Sequence, residues 1–324
     1  MRALVCKEFA PYDQLTVEEV PEPALVDGMV MIDVKAAGVN FPDILLVEGK
    51  YQMRPETPFV PGMEAAGIVS EVADGVQGVN VGDRVIVATM LGAFAEKVPA
   101  PAMQLVPMPD SMSFEEGAAL TTIYGTSYHA LKQRAALKEG ETLVVLGAAG
   151  GVGLAAVQLG KAMGAKVIAA ASSAEKLKVA QEAGADALID YSGEDLKARI
   201  KELTGGQGAD VVYDPVGGDY AEPALRALGW GGRFLVIGFA SGPIPKIPLN
   251  LALLNSRDIQ GVFWGAWVGR NPRENAQNIK DLFDMYEAGQ IAPRISASYA
   301  LEDYAGAFAD IMERRVKGKV VLTP

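Results

Sequence analysis

Cysteine and histidine are almost absent from this sequence. Its 324 residues include one cysteine, Cys6, and one histidine, His129. A disulfide within the chain needs two cysteines, and a structural zinc site needs about four cysteine or histidine ligands. Neither kind of cross-link therefore holds the fold. A single thiol is typical of a protein from a reducing cytosol.

Basic residues are also few, because 29 lysines and arginines stand against 40 acidic residues, a formal net charge of −11. A chain with this charge repels phosphate backbones and anionic lipid. The densest basic segment, residues 314–319, is too short for a groove-binding stripe. We therefore expect neither a nucleic acid nor a membrane as a partner.

The sequence has no long run of bulky apolar residues. Its first residues, MRALVCKEF, carry both acid and base, unlike a signal peptide, and we expect a cytoplasmic protein. Residues 142–160 are uncharged, but they contain five glycines where a membrane-spanning helix needs bulky side chains. The segment must therefore have a role other than crossing a membrane.

The length and composition predict two globular domains. Half of the residues are hydrophobic and 21% are charged, which excludes a mainly disordered chain. Residues 143–262 alternate short β-rich runs with helical patterns, which predicts a parallel sheet with helices on both faces. The preceding part shows short alternating runs broken by glycine and proline, which predicts antiparallel strands.

These patterns predict an α/β fold in which a β-rich domain is interrupted by a doubly wound domain. Strands are expected at 143–146, 166–170, 187–190, 210–214, 233–238 and 259–263, with helices at 152–163, 175–183, 193–204 and 220–228. Two more helices, near 274–288 and 303–314, precede a last strand in KVVLTP. The predicted domains are residues 1–122, residues 123–264, and a return to the first domain over residues 265–324.

A glycine-rich turn, GAAGGVG at 147–153, lies between the first predicted strand of the parallel sheet and its helix. This strand–turn–helix context is the one that a dinucleotide-binding fingerprint requires. Two of its glycines would let backbone N–H groups approach a pyrophosphate, and the last would let the helix pack closely. The positive end of the helix favours phosphates. We predict that Gly150, Gly151, Val152 and Gly153 bind a dinucleotide; a turn used only for packing is the alternative.

The end of the second strand indicates which dinucleotide binds. An NAD site carries an acidic residue there, for the ribose 2′-hydroxyl, whereas residues 167–173 read VIAAASS and contain no acid. Ser172 and Ser173 can donate hydrogen bonds to a 2′-phosphate, Lys176 can supply charge, and Tyr191 follows the third strand and is placed to cover the same end. We therefore predict NADPH. A serine helix cap followed by a surface lysine is the alternative.

The chain resembles the medium-chain dehydrogenases/reductases, and among them the zinc-free, zeta-crystallin-like NADPH:quinone oxidoreductases. The resemblance is carried by AAGVNFPD (36–43), PGMEAAGIVSEV (61–72), VGDRV (81–85), YGTSYHAL (124–131), LGAAGGVGLAAVQLGKAMGAKVIAAASSAEK (146–176), AGADALIDY (183–191), DVVYDPVGG (210–218), GGRFLVIGFASG (231–242) and GKVVL (318–322). It implies a GroES-like β-rich catalytic domain and a Rossmann domain that binds NADPH.

The resemblance also implies a reaction without zinc. Zinc-dependent alcohol dehydrogenases of the superfamily carry a cysteine and a histidine where this sequence has Asn40 and Met63. Without a Lewis acid, we expect acceptors that take hydride readily, namely quinones or α,β-unsaturated carbonyls. An enoyl thioester reductase and a protein that binds NADPH without turnover are the alternatives.

The resemblance implies roles for single residues. Asn40 is similar to an asparagine beside the nicotinamide ribose and substrate, and Tyr51 to a tyrosine that lines the substrate pocket, where its hydroxyl could polarise the acceptor oxygen. Both are predicted to be catalytic. The remaining expected cofactor contacts are Thr126 near the nicotinamide, Gly238, Phe239, Phe263 and Trp264 at its carboxamide, and Arg314. Relatives usually dimerise through the last strand of the Rossmann sheet, which is IQGVF (259–263) here.

Structural roles compete with several of these assignments. Tyr51 could be an aromatic at the rim of the pocket, Thr126 could bond to its own helix, and Trp264 could belong to the core. His129 lies on the same helical stretch as Thr126. A lone histidine on a packed helix is usually structural, so we do not predict it to be a general base.

Overall fold

The structure is a computed structural model that describes residues 1–324. Its strands, in chain order, are β1 Arg2–Val5, β2 Thr16–Glu19, β3 Met29–Val39, β4 Glu64–Val72, β5 Arg84–Ala88, β6 Lys97–Pro101, β7 Leu105–Pro107, β8 Thr142–Leu146, β9 Lys166–Ala171, β10 Ala187–Asp190, β11 Ala209–Asp214, β12 Leu228–Val236, β13 Asp258–Gly261, β14 Ile295–Ala300 and β15 Lys319–Thr323. Its α-helices are α1 Phe41–Val47, α2 Phe114–His129, α3 Gly151–Ala162, α4 Ala174–Glu182, α5 Leu196–Leu203, α6 Ala221–Ala227, α7 Asn250–Leu253, α8 Trp264–Arg270, α9 Pro272–Glu287 and α10 Tyr304–Met312.

The chain divides into two compact units. The first comprises Met1–Thr122 and Pro293–Pro324, and the second comprises Ile123–Ala292. The predicted boundary at 264/265 is therefore corrected to 292/293. The reason is that α8 and α9 pack on the end of α2: the Tyr128 hydroxyl donates to Asp281 at 3.0 Å, and His129 stacks on Trp267.

The first unit is built on a mostly antiparallel seven-stranded sheet. The strand order is β14-β15-β3-β4-β5-β7, and β6 also pairs with β3. β15 runs antiparallel to β3 on one side and parallel to β14 on the other. Its apolar residues share one core with α1 and α10, in which Ile44, Phe308 and Leu322 are fully buried. The antiparallel pattern predicted for the first part of the chain is thus confirmed.

The second unit contains a six-stranded parallel sheet in the order β10-β9-β8-β11-β12-β13. From β8 the chain moves outward to β10 and then returns to β11 on the other side of β8. In doubly wound sheets ligands bind at the carboxyl ends of the strands beside such a switch point. The predicted Rossmann fold is confirmed. β12 begins at Leu228 rather than at the predicted Arg233, because Leu228 pairs with Ala209 ahead of a register shift.

Candidate active site

The glycine-rich turn joins β8 to α3 at the switch point of the parallel sheet. Gly147 adopts a positive φ of 58°, and Gly150 is the N-cap of α3. A Cβ atom on Gly153 would lie 2.2 Å from the carbonyl oxygen of Gly147. Only glycine fits there, so the first turn of α3 lies directly against the turn that precedes it. This is the close approach that the sequence predicts for a dinucleotide-binding turn.

Ser172, Ser173 and Lys176 lie together at the end of β9. Ser173 is the N-cap of α4, and its hydroxyl oxygen accepts a hydrogen bond from the Lys176 N–H. The Lys176 ammonium lies 3.5 Å from the Ser172 hydroxyl in an exposed contact. The helix-cap alternative therefore describes Ser173, while Ser172 and the lysine side chain face solvent as one polar group.

Tyr191 is brought beside the same group by the pairing of β10 with β9. Its backbone N–H donates to Ala171, the last residue of β9, at 3.1 Å. Its ring contacts that of Tyr220, with the ring centres 4.3 Å apart. The end of β9 is therefore flanked by an aromatic side chain that a neighbour holds in place.

Thr126 lies on the part of α2 that belongs to the second unit. The adjacent Gly125 is covered by the indole of Trp264, because a Cβ atom at residue 125 would lie 2.7 Å from the indole ring. The indole N–H of Trp264 is buried without a hydrogen-bond partner. The hydroxyl that bonds to its own helix is that of Ser127, which donates to the carbonyl of Ile123 at 2.7 Å.

The other residues predicted at the nicotinamide follow the last two strands of the parallel sheet. Gly238 and Phe239 come after β12, and Phe263 comes after β13. Phe263 is 62% exposed. Because the carboxyl ends of parallel strands meet at one edge, the sheet brings these residues to the edge that carries the glycine-rich turn.

His129 has the structural role that its position on a packed helix predicts. Its ring is buried, stacks on Trp267 at 4.2 Å and lies 3.3 Å from the Gln133 side-chain oxygen. Burial lowers the pKa of this imidazole below its usual value. It is a neutral packing residue that ties α2 to α8.

Asn40 lies at the start of α1 in the first unit, inside a buried polar cluster. Its amide nitrogen donates to a Glu64 carboxylate oxygen at 2.9 Å and to the carbonyl of Gly38 at 3.3 Å. Its amide oxygen accepts from the Lys319 ammonium at 2.6 Å. Lys319 also pairs with Glu64 at 2.6 Å. Asn40 is therefore held by charged partners from β4 and β15.

Asp43 adjoins this cluster, and its charge acts on the phenol of Tyr51. One carboxylate oxygen of Asp43 accepts from the Asn40 N–H at 2.8 Å, and the other is buried without a partner. Burial raises the pKa of Asp43 to about 7. Burial, and then the charge of Asp43, raise the pKa of the half-buried Tyr51 phenol. The phenol therefore remains protonated in neutral solution.

Sequence reasoning assigned no role to Asp43, Glu64 or Lys319, although each lies in a segment that carries the family resemblance. A usable signal was present, because each is a charged residue beside apolar ones, in FPDILLV, MEAAGIV and GKVVL. Charged residues are almost never fully buried unless they are paired. Which residues pair with one another is set by the sheet and cannot be read from the spacing.

Arg314 belongs to the first unit and follows α10 with a positive φ of 58°.

The structure contains no group of three or more histidine, cysteine, aspartate or glutamate side chains that could hold a metal ion. None of its helices has both the length and the apolar surface needed to cross a membrane.

Known protein families match both units. The family described as "Alcohol dehydrogenase GroES-like domain" matches residues 26–110, and the family described as "Zinc-binding dehydrogenase" matches residues 151–283. The first stretch contains Asn40, Asp43 and Glu64, and the second contains most of the parallel sheet and the glycine-rich turn except its first residues.

Similar proteins define the family more closely. Quinone oxidoreductase-like protein 2 homolog from Nematostella vectensis is 42% identical over 99% of this chain and 88% of its own length. The chain belongs to the quinone oxidoreductase family of the medium-chain dehydrogenases/reductases. Another relative, quinone oxidoreductase-like protein 2 from Rattus norvegicus, is 38% identical over 99% of this chain and 92% of its own length.

Solved structures show the same relationship. Escherichia coli quinone oxidoreductase complexed with NADPH has a TM-score of 0.93 and 31% identity, and each chain is covered to 100%. A 2-haloacrylate reductase has a TM-score of 0.86 and 31% identity, covering 100% of this chain and 99% of that one. The fold of the quinone oxidoreductase family thus extends over the whole chain.

Proposed function

We propose that this member of the quinone oxidoreductase family transfers hydride from NADPH to a quinone or an α,β-unsaturated carbonyl. The observation that carries the proposal is the glycine-rich turn at the switch point of the sheet, next to a β9 end that has two serines and a lysine in place of an acid. The NADPH complex of the E. coli relative supports the cofactor. The names of the relatives support quinones, and the 2-haloacrylate reductase supports a conjugated double bond.

The second unit fits NADPH. Gly150, Gly151, Val152 and Gly153 would hold the pyrophosphate with backbone N–H groups at the start of α3. Ser172, Ser173 and Lys176 would hold the 2′-phosphate, with Tyr191 beside them. The indole N–H of Trp264, which is buried without a partner, can donate a hydrogen bond to the carboxamide oxygen of the nicotinamide. The other contacts proposed at the nicotinamide are Thr126, Gly238, Phe239 and Phe263. Arg314 is proposed as a further contact. NADPH, when bound, supplies the hydride.

Asn40 and Tyr51 are the proposed catalytic residues. The raised pKa of Tyr51 keeps its phenol protonated, so the hydroxyl can donate a hydrogen bond to the acceptor oxygen as negative charge develops on it. The proton that completes the reduced acceptor then comes from this hydroxyl or from water. Asn40, with both amide N–H groups directed at protein acceptors, presents its oxygen to the ribose or substrate.

We also propose that the reaction needs no zinc. An amide and a thioether, those of Asn40 and Met63, occupy the positions where zinc-dependent relatives carry metal ligands, and Asn40 is already held by Glu64 and Lys319. Dialysis against a chelator should leave turnover and unfolding temperature unchanged. Stoichiometric zinc in elemental analysis would contradict this part of the proposal.

A homodimer in the cytoplasm completes the proposal. β13 is the last strand of the parallel sheet and pairs only with β12, so one edge offers unpaired backbone groups to a second copy. Ile259 of β13 is an exposed apolar residue, and the second unit also exposes Trp230, Leu249, Leu253 and Leu254. Ile259→Lys should give a monomer in sedimentation velocity, and a wild-type monomer would refute the dimer. The sequence has a single cysteine, Cys6, which is typical of a protein from a reducing compartment.

The function is tested by following NADPH absorbance with three acceptors: an ortho-quinone, a short-chain enone and a crotonyl thioester. We expect NADPH consumption with the first two. Turnover of the thioester alone would identify an enoyl thioester reductase. Binding of NADPH without turnover of any acceptor would identify a binding protein.

A further inference from the structure

Asn40, Glu64 and Lys319 form a closed ring of three hydrogen bonds. The Lys319 ammonium donates to the Asn40 amide oxygen and to one Glu64 oxygen, each at 2.6 Å. The Asn40 amide nitrogen donates to the same Glu64 oxygen at 2.9 Å. Reversing the amide would place its oxygen against a carboxylate and its nitrogen against an ammonium. The ion pair therefore fixes one of the two amide orientations.

The ring is buried and rigidly mounted. The side chains of Lys319 and Glu64 are 3% and 0% exposed. The second Glu64 oxygen accepts from the backbone N–H of Thr122 in α2 at 2.8 Å. A Cβ atom on Gly38 would lie 2.7 Å from the Glu64 oxygen and 2.9 Å from the Lys319 side chain. The carbonyl oxygen of Ala118 in α2 would lie closer still, at 2.3 Å, so glycine at this position of β3 leaves room both for α2 and for the ion pair.

Stability alone does not account for this arrangement. Desolvation offsets much of the attraction in a buried ion pair, and replacement by apolar residues of similar volume is often neutral or stabilising. Both charged groups nonetheless form a hydrogen bond with the Asn40 amide. The effect of the pair beyond any contribution to stability is therefore to fix the orientation of that amide.

We propose that Glu64 and Lys319 are positioning residues, which hold the Asn40 amide in the orientation that the reaction needs. The inference rests on the proposed function, in which Asn40 is catalytic. The two amide hydrogens point at Glu64 and Gly38, so a bound ligand meets Asn40 as a hydrogen-bond acceptor. Its partner is therefore a donor, such as a ribose hydroxyl.

The kinetic test is a double-mutant cycle with NADPH and an ortho-quinone. Lys319→Met should lower kcat by about 10- to 100-fold, because small misplacements of a catalytic group have effects of this size, while KM for the quinone changes less than about threefold. In the background of Asn40→Ala, the same substitution should change kcat less than about twofold. An undiminished loss in that background would overturn the proposal.

A lost charge partner also lowers stability, so the fold needs its own control. Lys319→Met leaves Glu64 buried and unpaired, whereas Glu64→Met combined with Lys319→Met removes both charges. The double variant should regain most of the unfolding temperature and still show the lowered kcat. Arg233→Met breaks the partly buried pair with Glu141 in the second unit, and should lower the unfolding temperature without lowering kcat. A double variant with kcat within twofold of the wild type would contradict positioning.

A measurement without turnover separates this inference from the proposed function. The side-chain amide resonances of Asn40, assigned by their loss in Asn40→Ala, should exchange with solvent slowly in the wild type and at least about tenfold faster in Lys319→Met. Equal exchange rates would overturn the inference even in an active enzyme. Slow exchange in a wild type that reduces no acceptor would refute the proposed function and leave the positioning of the amide supported.

Discussion

The carbonyl oxygen of Gly147 lies 2.2 Å from the position that a Cβ atom on residue 153 would occupy. Gly153→Ala must therefore displace either the turn or the start of α3. We expect the free energy of unfolding to fall by about 1–3 kcal/mol, and the Kd for NADPH to rise at least about tenfold because the backbone N–H groups move. Denaturant unfolding and fluorescence titration measure the two effects.

Gly193→Ala is the control for this substitution, since nothing lies within 4 Å of a Cβ atom at residue 193. Unchanged NADPH binding in Gly153→Ala would contradict the prediction.

The choice of NADPH over NADH depends on Lys176 and Ser172. A hydrogen bond to a charged group contributes about 1.5–3 kcal/mol, and the lower half of that range applies to an exposed phosphate. Lys176→Ala should raise the Kd for NADPH about tenfold and leave NADH nearly unaffected, whereas Ser172→Asp should shift the preference toward NADH. Paired titrations of both nucleotides measure this, with Lys178→Ala on the same helix as the control. Equal weakening of both nucleotides by Lys176→Ala would show that this end of β9 does not hold the 2′-phosphate.

Removal of the Tyr51 hydroxyl tests its proposed hydrogen bond to the acceptor. Tyr51→Phe should lower kcat by about 10- to 100-fold and change the Kd for NADPH less than about twofold, because the lost bond strengthens in the transition state. Steady-state kinetics with an ortho-quinone measures the change. Tyr12→Phe is the matched control, because Tyr12 is another half-buried tyrosine packed on the same core. An unaltered kcat would reduce Tyr51 to an aromatic that lines the pocket.

The buried Asp43 carboxyl makes stability depend on pH in an unusual direction. Its pKa is about 7 in the folded protein, against about 3.9 for an unfolded aspartate. Between these values the folded state binds more protons, so the free energy of unfolding falls as pH rises, by up to about 1.4 kcal/mol per pH unit. Lys319 and Glu64 are the charged groups that act on this carboxyl, with opposite effects.

The check is denaturant unfolding of Asp43→Asn at pH 5 and pH 8. Asparagine keeps an oxygen for the Asn40 N–H, and it has no charge to desolvate. We expect the stability of the variant relative to wild type to rise by about 2 kcal/mol between the two pH values. Asp83→Asn is the control, since Asp83 accepts a similar bond from the Asn80 N–H in an exposed turn. The same difference at both pH values would show that Asp43 is ionised throughout.

The sequence predicted the parallel sheet better than the polar cluster, for a physical reason. Strand and helix periodicities are visible within short stretches of sequence, and the spacing of the glycines alone indicates the glycine-rich turn. The strands from β8 to β13 could therefore be predicted from local patterns. The elements that were not predicted include strand β14 and the short helices α1, α7 and α8. Strand β14 reads ISASYA, which has little apolar contrast, and none of the three helices exceeds seven residues.

The pairing of Glu64 with Lys319 joins residues 255 positions apart. No local pattern encodes such a contact, because it forms only when β15 enters the sheet beside β3. The resemblance predicts that Asn40 is a site residue, but it does not indicate what holds the amide. Glu64 and Lys319 come together at Asn40 only in the folded protein.

The position of β15 between β3 and β14 also constrains the order in which this protein can form on the ribosome. Residues 123–292 make up a complete unit, and they emerge while the sheet of the first unit still lacks the strand between β3 and β14. Residues 37–39 of β3 therefore lack their partner strand until residues 319–323 have been synthesised. During that interval Glu64 has no ammonium partner. Assembly of the buried charge cluster therefore follows the synthesis of the entire second unit.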